Sequence, residues 1–85
     1  MVKPSKLYEQ LLASTRRTVS FRDFEALLHA FGFEPVRQKG SHKSYKHIKA
    51  QRMLVVQPRG NDAKDYQVRQ FLDMVQEYGL TIEDR

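Results

Sequence analysis

The stretch FEPVRQKGSHKSYKHIKAQRMLVV, residues 33–56, decides the fold. Before and after it, apolar residues recur every three or four positions, the period of a helix with one buried face. Inside it the period changes. Residues 33–38 read as a strand, and Pro35 argues for an edge or a strand start, because proline cannot donate to a ladder. Lys39-Gly40-Ser41 is a turn. Residues 42–48 read as a second strand and Lys49-Ala50-Gln51 as the next turn. Met53, Leu54, Val55 and Val56 form a third strand, apolar on both faces and hence expected at the centre of the sheet. Three strands joined by short links predict an antiparallel meander.

Upstream, Ser20 is a helix N-cap with Asp23 at the capping-box position. Phe21, Phe24, Leu27, Leu28 and Phe31 make one apolar stripe, and Gly32 falls where a left-handed C′ residue ends a helix. Leu7, Leu11 and Leu12 predict a shorter helix over residues 5–13, started by Pro4 and broken at residues 14–17. Downstream, residues 58–62 read as a loop dense in turn formers. A last helix starts near Asp65, a candidate N-cap. It buries Val68, Phe71, Leu72 and Val75 and stops at Gly79, leaving a frayed tail from residue 81. The order is α-α-β-β-β-α. The fold class is α+β, a three-stranded antiparallel sheet with helices on one face and the other face open to water.

The 85 residues suffice for one domain, burying ~60–65% of the surface of the unfolded chain. There is no cysteine, which excludes disulfides, thiolate metal sites and cysteine nucleophiles. No run of ~18 apolar residues predicts a membrane span, and residues 1–13 lack the apolar core of a signal peptide. This composition fits a reducing cytoplasm. The net charge is +5, with 15 basic and 10 acidic side chains. Seven of the basic residues (Arg37, Lys39, Lys43, Lys46, Lys49, Arg52 and Arg59) lie in residues 36–59, which hold no acid. A concentrated basic segment is the footprint of a polyanion binder, although a solvated face gives the same pattern.

The chemistry-bearing segment is Arg37-Gln38-Lys39-Gly40-Ser41-His42-Lys43-Ser44-Tyr45. Gly40 permits a positive φ and close approach of a partner. Ser41 offers a hydroxyl and an N–H to phosphate. Lys39 and Lys43 flank the turn with ammonium groups. His42 carries the one side chain type that titrates near neutrality unperturbed. This mix suits RNA cleavage through the ribose 2′-OH, with a base taking the hydroxyl proton and cations stabilising the developing charge; that route requires no metal and no cofactor. On residues alone, a lone histidine at a strand start is more often structural or merely exposed. His47 lies an odd number of residues from His42 and faces the other way. His29, near a helix C-terminus, favours the helix dipole. The spacings of the three histidines match no familiar metal motif. Tyr45 and Phe21, Phe24, Phe31 and Phe71 read as core, which argues against a sheet that stacks bases on its own aromatics.

Gly32-Phe33, then Arg37-Gln38-Lys39-Gly40-Ser41-His42 and Tyr45, resemble the HicA toxins of bacterial and archaeal toxin–antitoxin modules. The resemblance runs over residues 20–80, through Val55-Val56-Gln57-Pro58 and the helix that follows. The single domain then spans residues 1–85, with a helix at 4–14 added in front of the family core. The resemblance implies a fold like that of double-stranded-RNA-binding domains and mRNA interferase activity. It also implies an active-site histidine at His42 and a HicB antitoxin as partner. Many members carry a second histidine in a P-x-H element after the third strand. Here Pro58-Arg59-Gly60 stands at that place, so a two-histidine scheme loses its second member and Arg59 becomes a candidate phosphate clamp. The reading is an endoribonuclease toxin with His42 as general base or acid. Lys39, Lys43 and Arg59 would bind phosphate, and Gly40 and Ser41 would shape the turn. Arg37, Lys46 and Arg52 would supply salt-dependent affinity for the RNA backbone. Two alternatives stand: a non-catalytic module that reads A-form shape, and a subunit whose basic face docks an acidic protein.

Overall fold

The computed structural model describes residues 3–13 and 18–82. In chain order it contains α1 (Pro4–Leu12), α2 (Phe21–Ala30), β1 (Glu34–Lys39), β2 (His42–Lys46), β3 (Leu54–Val56), β4 (Pro58–Arg59), β5 (Asp62–Ala63) and α3 (Asp65–Tyr78). The expected break at residues 14–17 and the tail beyond residue 82 lie outside the described residues. No helix among those described is long and apolar enough to cross a membrane.

The helix signals act as their chemistry requires. Ser20 Oγ accepts from the Asp23 N–H at 3.1 Å, and Gly32 turns the chain at φ 90°. Pro4 opens α1, where its missing N–H costs nothing. The α1 helix is part of the core: Leu7 is fully buried, and the Tyr8 ring meets Phe31 edge-on at 4.9 Å. At the start of α3 the reading is corrected by one position. Lys64 occupies the N-cap without a side-chain capping bond, and Asp65 is the first helical residue, where its charge favours the dipole.

The β1, β2 and β3 strands form an antiparallel sheet in that order. The middle position therefore belongs to β2, not to the apolar β3. Short links keep neighbours in sequence neighbours in space, and this outranks the apolar pattern of β3, whose Val55 stays 41% exposed. A register shift between Pro35 and Arg37 marks a bulge on β1. Residues 58–63 are not a plain loop. They fold as a hairpin turned at Gly60 (φ 62°), and it is stitched to the start of α2 by two 2.8 Å backbone bonds, Phe21 N–H to Asn61 O and Ala63 N–H to Val19 O.

One face of the sheet is covered. Tyr45, Leu54 and Val56 point into a core shared with Phe24, Leu27, Leu28, Phe31 and Phe33, and with Phe71, Met74 and Val75 of α3. The Phe71 ring meets Phe24, Phe31 and Phe33 edge-on at 5.2–5.9 Å. The opposite face carries His42, Ser44 and Lys46 from β2 and their cross-strand neighbours on β1. Because α1 supplies a buried side chain, Leu7→Ala should lower the free energy of unfolding by about 2–4 kcal/mol in a urea titration. It should do so as a single transition, since α1 belongs to the same cooperative unit.

Candidate functional site

Residue alternation along β2 sorts the candidate side chains. Lys39 and His42 are cross-strand partners on either side of a two-residue turn, and Arg37 opposes Ser44 on the same open face. Gly40, in that turn, takes φ 60°, and an added Cβ would meet nothing within 4 Å; glycine serves the backbone conformation here. Gln38 Nε2 donates to Gly40 O at 3.2 Å and steadies the turn. The His42 ring is exposed and, among the described residues, has no hydrogen-bond partner. Arg37 and Lys39 are exposed beside it. Lys46 shares the face but lies four residues along the strand, about 13 Å from His42.

Three of the basic residues lie elsewhere. Lys43 points to the helix side and pairs with Glu25 at 2.8 Å. Arg52 sits in the β2–β3 link, paired with Glu77 of α3 at 2.8 Å on the surface. Arg59 belongs to the separate β4–β5 hairpin and lines a groove against the start of α3. Ser41 is held too: its Oγ accepts from Gln57 Nε2 at 2.9 Å, and Gln57 Oε1 accepts from Lys64 Nζ at 2.9 Å. Of the candidate residues, the structure therefore gathers Arg37, Lys39, Gly40, Ser41 and His42.

The Glu25 carboxylate organises the covered side. It accepts from Lys43 Nζ at 2.8 Å and from the Tyr45 hydroxyl at 2.6 Å. Burial by itself would raise its pKa. The two hydrogen bonds, with the charges of Lys43 and His29, outweigh that and hold the carboxyl below its ordinary value. Burial, then the bond and charge of Glu25, push the Tyr45 phenol well above its usual range. His29 packs edge-on against Tyr45 at 5.7 Å. His47 is buried with both ring nitrogens engaged, Nε2 with Phe31 O at 2.8 Å and Nδ1 accepting from the Lys49 N–H at 3.0 Å. That is a structural role. Among the described residues no three His, Asp or Glu side chains converge as metal ligands.

Sequence reasoning missed Glu25, Gln57, Lys64, Tyr66 and Gln67. Gln67 is buried; its Oε1 accepts from the Gln57 N–H at 2.8 Å and its Nε2 donates to the Tyr66 hydroxyl at 3.2 Å. The available signal was Tyr66, an aromatic off the apolar stripe of its own helix. The Glu25 cluster predicts a pH dependence. A carboxyl held below its unfolded value stabilises the fold above that value, and the contribution is lost as pH falls through the folded value. Glu25→Gln should cost about 1–3 kcal/mol at pH 7. Its deficit against wild type should shrink below about pH 4 when unfolding is followed across pH.

A model of the HicA toxin family of bacterial toxin–antitoxin systems matches residues 21–76 of the 85. No curated protein and no solved structure matches the chain.

Proposed function

The chain belongs to the HicA toxin family of bacterial toxin–antitoxin systems, and from that premise we propose that it is an endoribonuclease acting on mRNA with His42 as its general base. The observation that supports this reading is the exposed, unengaged imidazole of His42, set across a glycine turn from Lys39 with Arg37 on the same face. An RNA strand laid on this face brings a ribose 2′-OH to the His42 ring. The ring takes the hydroxyl proton, and the 2′ oxygen attacks the adjacent phosphorus. The bond to the 5′ oxygen breaks, leaving a 2′,3′-cyclic phosphate; the 5′ oxygen takes up a proton as it departs. Lys39 and Arg37 stabilise the charge gathering on the phosphoryl oxygens. Lys43 ties β2 to α2 through Glu25, and Arg59 and Arg52 act outside the catalytic cluster. No metal or cofactor is assigned to this route. The antitoxin, of HicB type, covers the open face and competes with RNA for the same cations. The toxin acts in the cytoplasm, where its transcripts are.

The second reading, a non-catalytic double-stranded-RNA binder, draws on Arg59 standing where a second histidine would be. One experiment separates the two. Wild type and His42→Ala, purified in parallel, are given a mixed-structure RNA in EDTA. Cleavage by wild type and a loss of about 100-fold or more in the variant, with RNA binding retained, is the expected result. Two inert proteins that still bind RNA would establish the binding module instead. Binding should also weaken with salt. Arg37→Ala and Lys39→Ala should each flatten the slope of log affinity against log salt concentration by about 0.7–0.9.

A further inference from the structure

Beside the first turn of α3 lies an open groove of about 530 Å³, lined among others by Arg59, Asp62, Lys64, Asp65, Tyr66 and Arg69. Among the phenylalanines and tyrosines of the described residues, Tyr66 is the one exposed, at 51%. The other eight phenylalanines and tyrosines are buried or half-buried. The ring is not left loose, since its hydroxyl is held by the buried Gln67 amide. Arg69 follows one helical turn later, on the same side of α3. The groove is also tied to the turn that carries His42. Two hydrogen bonds of 2.9 Å and one amide group, that of Gln57, link Ser41 Oγ to Lys64 Nζ on the groove wall. The Gln67 amide meets the backbone of the same Gln57. The turn and the groove wall are thus joined through one side chain.

We propose that this groove takes the nucleotide next to the one cut at His42, with an unpaired base stacked on Tyr66 and its phosphates held by Arg59 and Arg69. The choice of RNA as ligand rests on the function proposed above. A tyrosine face can be covered only by a base with a free face, and in a continuous duplex both faces are covered by neighbouring pairs. Asp62 and Asp65 repel phosphate but accept hydrogen bonds from base amino groups, so they suit the edge of a splayed base. The substrate is therefore RNA that is single-stranded or looped beside the cleavage point.

The test is a binding measurement with 2′-O-methyl RNA, which lacks the nucleophile and stays intact. One oligonucleotide is used as a single strand and again within its duplex. Tyr66→Ala should lose about 5- to 150-fold in affinity for the single strand and little for the duplex. Tyr66→Phe should retain most of the affinity, because the ring remains. The chain has no tryptophan, so the emission of the Tyr66→Trp protein reports on this position alone; the single strand should quench it and the duplex should not. Equal losses for single strand and duplex, or unquenched emission while the single strand binds, would overturn the inference. Neither readout depends on cleavage. An inert enzyme that still stacks would sink only the catalytic reading, and a cleaving enzyme without stacking would sink only this one.

Discussion

The 2.6 Å bond from the Tyr45 hydroxyl to Glu25 fixes more of this molecule than any other contact. Tyr45 is fully buried in the middle strand, and its ring fills the space between the sheet and α2. A buried hydroxyl without a partner would cost about 1–3 kcal/mol, so the ring is fixed in depth as well as direction. In a strand, side chains three apart face opposite ways. With Tyr45 held inward, His42 must point to water and Lys43 must point to the helices. The ammonium of Lys43 then meets the same carboxylate, and the one negative charge satisfies both. A slip of one residue along β2 would bury His42 and expose the Tyr45 ring. The exposure of His42 is thus a consequence of packing on the far side of the sheet.

The turn between β1 and β2 would otherwise hang free at the sheet's end. It is held by side-chain amides instead: Gln38 to Gly40 O, and Gln57 to the Ser41 hydroxyl. Gln57 also accepts from Lys64, so the β1–β2 turn, the end of β3 and the start of α3 meet at one residue. Glutamine suits that place because its amide both donates and accepts. None of these bonds draws on the charges of Arg37 and Lys39. Lys43 and Arg52, by contrast, have carboxylate partners. A cation already paired must give up that partner before it can serve phosphate. The seven basic residues of one segment are therefore unequal, though the sequence shows them alike.

What could be read in advance follows the range of the interactions. Ser20 capping Asp23, Gly32 and Gly79 closing helices, and the helical stripes are local signals, and the elements lie where they point. The face assignment of His42, Tyr45 and His47 rests on strand alternation, which is local too. The centre of the sheet is not legible this way, because apolar residues on both sides of β3 suggest burial that Val55 does not have. Strand order is a property of the links, not of the strand. The β4–β5 hairpin was hidden because strands of two residues have no period to detect. Glu25, 18 residues from Lys43 and 20 from Tyr45, became visible only once the chain had folded. The same holds for Gln57 and Gln67, whose partners are set by three dimensions.

The helix in front of the family domain has a physical reason to be there. The match to the family begins at residue 21, so α1 lies outside it. A chain this short has little interior, and each aromatic left half-covered is a large fraction of its stability. Phe31, at the end of α2, already faces Phe71 on one side. Tyr8 covers another part of it, and Leu7 enters the core beside it. The helix thus extends the hydrophobic layer on the side of the sheet away from His42. The buried layer that α1 completes is the same one that holds Tyr45 inward and so keeps His42 facing water.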